Sequence, residues 1–265
     1  MGENCHWQFA RKRSDASYAC NSELSGSLKV TEPHYSPQNI LDTVGVFFIC
    51  YSEDMKKVII NADDFGYSYG INKGIIEAHK NGVVTSTSVM ILGIAAKEAA
   101  ALRQENPNLS VGLHLMLEDP DQAERALSEQ VHLFHAIVGT MPDHIDVHKI
   151  LYRSAGLDAV LKDYSKSHGI PVRQLGFAEF IGSYGPEGEN PEDLSVDRFK
   201  EALDQVTNGY NEIMCHPGHC DEYLLQHSSY NTPREAELKT LCDPRLKEYI
   251  TQNDIELVNW RSIEV

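Results

Sequence analysis

Apolar and polar positions divide this chain of 265 residues into two kinds of sequence. Residues 1–54 hold no sustained period: Ser, Asn, Pro and scattered charges interrupt the apolar positions. This stretch reads as an irregular N-terminal extension outside the core, and Met55-Lys56-Lys57-Val58 looks like a chain start placed just before a first strand. From there the pattern becomes regular. Val58-Ile59-Ile60 is a short apolar run ending in a polar cluster, as a buried strand would. Ile71, Ile75 and Ala78 fall at helical spacing and stop at Gly82, which predicts a helix over residues 71–81. The same reading predicts strands over 86–91, 109–115, 144–147, from Val172, 211–215 and 255–258. It predicts helices over 95–104, 121–138, 157–167, 197–206, 233–241 and 245–251, and a loop over 182–191. Strand and helix alternate about six times in roughly 210 residues, which implies a parallel sheet with crossover helices. The expected fold is therefore α/β, an irregular (β/α) barrel of mostly parallel strands, formed by residues 55–265.

Charge narrows the partners. The formal net charge is -16, which disfavours a nucleic-acid backbone or an anionic membrane and suits a neutral or cationic ligand. No apolar run approaches the roughly 18–20 residues of a membrane span. The six cysteines form no Cys-x-x-Cys pair and no disulfide framework, so a reducing, cytoplasmic setting is expected. Nucleotide-binding glycine motifs do not occur.

Ionisable residues gather where the predicted strands end, which is where parallel α/β folds bind ligands. Asn61-Ala62-Asp63-Asp64-Phe65-Gly66 follows the first strand; two adjacent carboxylates repel, and a cation between them resolves the conflict. A solvated turn is the plainer reading of that pair taken alone. His114 interrupts the apolar run Gly112-Leu113-His114-Leu115, as a core histidine or as a ligand. Alternation puts His144, Asp146 and His148 on one face of a strand, part of a metal site or a hydrogen-bonded trio. Cys215-His216-Pro217-Gly218-His219 holds His216 in a turn after a strand, where an imidazole could protonate a leaving group or simply face solvent. Arg173 follows Pro171-Val172 and could orient a carboxylate or form a surface ion pair.

At these residues the sequence resembles the YdjC-like carbohydrate deacetylases, a family that includes chitooligosaccharide deacetylases. The likeness runs through Val58–Gly66, Ala78-His79, Gly82–Ser88, Val111–Leu115, His144–Lys149, Pro171–Arg173, Cys215–Gly218 and Val258–Arg261, spanning about residues 55 to 265. It departs from the family in Lys149-Ile150-Leu151-Tyr152, where further histidines are usual, and in a short stretch over 116–142. The resemblance implies a hydrolase that removes an N-acetyl group from an amino sugar in a short, chitobiose-like oligosaccharide, using a divalent metal, Mg2+ or Zn2+. It implies Asp64, His114 and His148 as metal ligands, Asp63 as general base, His216 as general acid and Arg173 as the group that positions Asp63. A homodimer is also implied. A metal-dependent phosphoesterase, another amidohydrolase, and a sugar-binding protein with a degenerate site stand as alternatives.

Overall fold

The computed structural model describes residues 55–149, 154–183 and 194–265. The predicted extension over 1–54 and most of the predicted loop over 182–191 lie outside these residues. The elements run β1 (Lys56–Phe65), α1 (Tyr69–Asn81), β2 (Ser86–Val89), α2 (Ala96–Glu105), β3 (Ser110–Leu115), α3 (Ala123–Val138), β4 (Ile145–Val147) and α4 (Ala155–His168). They continue with β5 (Glu179–Ser183), α5 (Val196–Asp204), β6 (Gly209–Cys215), α6 (Glu222–His227), α7 (Pro233–Leu241), α8 (Pro244–Gln252) and β7 (Ile255–Val258). Every strand pairing is parallel, in the order β4-β3-β2-β1-β6-β5. β7 also pairs with β1, through Lys56–Ile59. β6 covers one edge of β1 over Lys56–Ala62, so β2 and β7 share the other edge: β2 takes its C-terminal half and β7 its N-terminal half. Val172 extends the sheet by one parallel bridge to Ile145.

The sheet curls into the expected irregular, open barrel. In a flat sheet β4 and β6, four strand spacings apart, would stand about 19 Å from each other. Yet the guanidinium of Arg173 lies 2.9 Å from Asp146 on β4 and 2.9 Å from Glu212 on β6. Burial fits this: Val58 through Gly66 are all buried, as expected for a strand covered on both faces. The helices fill the outside with apolar stripes such as Ile71, Ile75 and Ala78 on α1 and Leu127, Val131, Phe134 and Val138 on α3.

Two elements escape the periodicity. β5 is half-buried and interrupted by Gly182, so it shows no apolar run. α6 has only six residues, too few to establish a helical period. Val172 forms a single bridge rather than a strand. No helix among the described residues is long and apolar enough to cross a membrane.

Candidate metal and catalytic site

The site starts from an irregularity in β1. Between Ala62 and Phe65 the strand holds one more residue than β2 does between Thr87 and Val89, which is a bulge. In a regular strand Asp63 and Asp64 would point to opposite faces. The bulge, with Asp64 at φ 72°, turns both carboxylates into one cavity at the carboxyl ends of the strands. Aspartate is among the few residues that tolerate this left-handed conformation. Lys149 and Gln174, which follow His148 and Arg173, also have positive φ and line the same cavity of about 500 Å3. Non-glycine residues held in this region tend to mark functional sites.

Three nitrogen and oxygen atoms converge. His114 Nε2 lies 3.3 Å from Asp64 Oδ1, His148 Nδ1 lies 3.5 Å from the same oxygen, and the two ring nitrogens are 3.1 Å apart. Asp64 Oδ1 is buried and receives no hydrogen bond. Ligand atoms around a first-row ion with bonds of about 2.0–2.1 Å stand about 3 Å from one another, so this triangle has the size of a coordination face. The charge balance agrees. Among the described residues five buried carboxylates (Asp63, Asp64, Asp146, Glu212, Glu237) stand against two buried guanidiniums (Arg173, Arg234) and the buried imidazole of His114, which still leaves an excess of acidic groups that favours a cation. These residues fit a divalent metal.

The neighbouring groups fix the donors. His114 presents Nδ1 to Asp146 Oδ1 at 2.6 Å, leaving Nε2 to the converging face, the way metal-binding imidazoles are usually backed. Burial opposes a positive charge on His114, but Asp146 and Asp63 outweigh it and lift its pKa to about 10 without a metal. Burial likewise opposes the charge of Asp64, and Arg234 together with the two imidazoles overcomes it, holding the carboxylate well below its usual range. A second convergence of Asp63, His114 and Asp146 is already filled, because both carboxylates pair with Arg173.

Arg173 is buried, so the surface ion pair open to it in the sequence does not occur. Its Nη1 and Nη2 donate to the two oxygens of Asp63, each at 2.7 Å, and its Nε donates to Glu212 at 3.0 Å. Asp63 Oδ1 also accepts from Asn61 at 2.7 Å. Oδ2 is left as the less occupied oxygen. His216 follows β6 and lines the same cavity. Its backbone N–H donates to the buried Glu237 at 2.7 Å, while its ring stands edge-on to Tyr230 with centroids 5.6 Å apart.

Of the strand face His144-Asp146-His148, only His148 joins the converging face. Asp146 backs His114, and His144 lies fully buried, stacked on Trp260 at 4.8 Å, in space left by the missing side chain of Gly112. His219 pairs instead with Glu77 at 2.9 Å. Sequence reasoning missed Arg234, Glu237, Tyr230 and Glu212. Glu212 carried a signal, a charged residue inside the apolar run of β6; Arg234 and Glu237 carried none, since charges on a short helix ordinarily face solvent.

Known proteins bear on this geometry. The family model described as YdjC-like protein matches residues 57–123 and 118–252. The chain belongs to the YdjC-like family. Among its relatives, carbohydrate deacetylase 2 of Listeria innocua is 32% identical over 246 residues, covering 78% of this chain and 98% of the relative. The carbohydrate deacetylase of Geobacillus stearothermophilus is 32% identical over 241 residues, covering 77% and 96%. A crystal structure from Enterococcus faecalis V583, described as a candidate cellobiose-phosphate cleavage protein, superposes with a TM-score of 0.68 at 26% identity, covering 78% of this chain and 98% of that one. In this YdjC-like chain the shared region coincides with the barrel that carries the cavity.

Proposed function

We propose that this protein is a metal-dependent carbohydrate deacetylase that hydrolyses the N-acetyl group of an amino sugar in a short, chitobiose-like oligosaccharide. The observation that carries this reading is the buried Oδ1 of Asp64, which accepts no hydrogen bond and faces two imidazole nitrogens, in the same cavity as an aspartate clamped by arginine. The relatives' names, carbohydrate deacetylase, give the substrate class. Asp64, His114 and His148 hold the metal, of which Zn2+ and Mg2+ are the two candidates. A divalent ion there would polarise the acetyl carbonyl and lower the pKa of water.

The chain's own groups carry the proton traffic. Asp63 accepts the proton of the attacking water through Oδ2, the oxygen left more open by Asn61. Arg173 fixes the plane of that carboxylate through its paired hydrogen bonds. His216 gives a proton to the departing nitrogen, so that the C–N bond breaks to yield acetate and an amine. Tyr67, Phe180 and Tyr230 line the cavity and offer apolar faces to a sugar ring.

The test is acetate release from diacetylchitobiose, with added Zn2+ or Mg2+ and with a chelator. Metal-dependent release is expected, along with its loss in Asp63→Asn while metal binding persists. Release that survives Asp63→Asn removes the proposed base. Metal uptake with no acetate released from any acetylated sugar would favour the phosphoesterase alternative.

A further inference from the structure

Arg234 has no place in the proton traffic, yet it is the most tightly tied side chain around Asp64. It lies at the start of α7, 4% exposed. Its Nη2 donates to Asp64 Oδ2 at 2.6 Å, and its Nε donates to the carbonyl of Tyr230 at 2.9 Å. The guanidinium sits over the Tyr230 ring, 5.4 Å from its centroid, and the Arg234 carbonyl accepts from Gly218 N–H at 3.2 Å. Nη1 is buried without a partner. A fixed cation this close repels a divalent ion, so a site selected for affinity alone would not keep it. What it does to the carboxylate is definite: one oxygen is taken and the other is left facing His114 and His148.

We propose that Arg234 is a positioning residue that holds Asp64 by Oδ2, so that only Oδ1 is presented to the metal. This rests on the metal reading given above. An unrestrained carboxylate can close on an ion with both oxygens and use up a coordination position that water or substrate needs. With Oδ2 occupied, Asp64 contributes a single oxygen and the remaining positions stay open. Tyr230 extends the arrangement to the other side of the cavity, since its hydroxyl donates to Glu237, the residue that receives the His216 backbone N–H.

The experiment titrates Co2+ into the full-length metal-free protein and records both affinity and the visible absorption of the bound ion. Arg234→Met is expected to bind Co2+ at least as tightly as the wild type, because a repelling charge is gone and both Asp64 oxygens can close on the ion. Its absorption bands should also shift as Asp64 changes its mode of ligation. Arg234→Lys, which keeps the charge but holds Oδ2 through a single ammonium, should fall between the two in affinity and spectrum. A merely structural role would lower the folded fraction and leave the spectrum of bound Co2+ as in the wild type. A wild-type spectrum of bound Co2+ in Arg234→Met, or Co2+ binding weakened in it while the protein stays folded, would overturn the proposal. If Arg234→Met does not fold, a wild-type spectrum in Arg234→Lys overturns it equally. Absence of Co2+ binding by the wild-type protein is a different failure, that of the metal site itself.

Discussion

At the scale of single residues the site is organised by two buried arginines with different tasks. Arg173 joins Asp63, Asp146 and Glu212, carboxylates from three strands, and removing it takes the shared guanidinium from all three. Arg173→Met is expected to lower stability by roughly 3–5 kcal/mol, the cost of breaking a buried ion pair from one side, as measured by urea unfolding. Asp146 acts through His114, to which it is bonded at 2.6 Å. Asp146→Asn should weaken metal binding about 10–100-fold by titration, with Asp64, His114 and His148 all still present. Much of this was legible in the sequence. Asp63, Asp64, His114, His148, Arg173 and His216 stand in or beside apolar strands, where a polar residue needs a reason. Arg234 and Glu237 were not legible, because they are buried only when α7 closes over the barrel end. The directions of Asp63 and Asp64 were not legible either: period-two alternation sets them on opposite faces, and only the bulge in β1 brings them together.

At the scale of elements, helix starts and tight contacts place the strand ends. Asp221 caps α6 by accepting from Leu224 N–H at 2.8 Å, and its other oxygen accepts from Gly70 N–H at 2.6 Å, which ties α6 to the first turn of α1. A side chain at Gly70 would meet the His219 carbonyl at 2.2 Å, and one at Gly74 would meet Gly218 Cα at 2.5 Å. Thus α1, which leads away from Asp63 and Asp64, rests directly on the turn that carries His216. Asp221→Ala should cost about 1–2 kcal/mol, the upper part of the range for a lost helix cap, measurable by thermal unfolding. Partial burial opposes the charge of Asp221, but the N–H groups of Leu224 and Gly70 outweigh it and depress its pKa. Its contribution is therefore complete above the unfolded value near 3.9 and disappears as pH falls through the lower folded value. The wild-type advantage over Asp221→Ala should shrink accordingly in acid. Most helices and strands followed from hydrophobic spacing; β5 and α6 did not, since their positions are set by what they pack on rather than by a period of their own.

At the scale of the whole molecule, the residues that meet at the cavity come from Asp63 to Arg234, so the site exists only once the barrel has closed. The excess of buried carboxylates makes the metal-free barrel electrostatically uneven, and a bound divalent ion should stabilise it. At a hundredfold excess over Kd that stabilisation is about 2.7 kcal/mol, so chelation should lower the melting temperature and readdition of metal should restore it. An unchanged melting temperature would count against a tightly held ion. The edge of β1 that is divided between β2 and β7 has a consequence for biosynthesis. Lys56–Ile59 emerges from the ribosome about 200 residues ahead of its hydrogen-bonding partner, Ile255–Val258. Until β7 has been made and has paired, half of the central strand offers an unsatisfied edge, the kind of surface that chaperones engage and that neighbouring nascent chains can pair with. A chain that stopped before Ile255 would keep all the residues that line the cavity and still leave that edge bare.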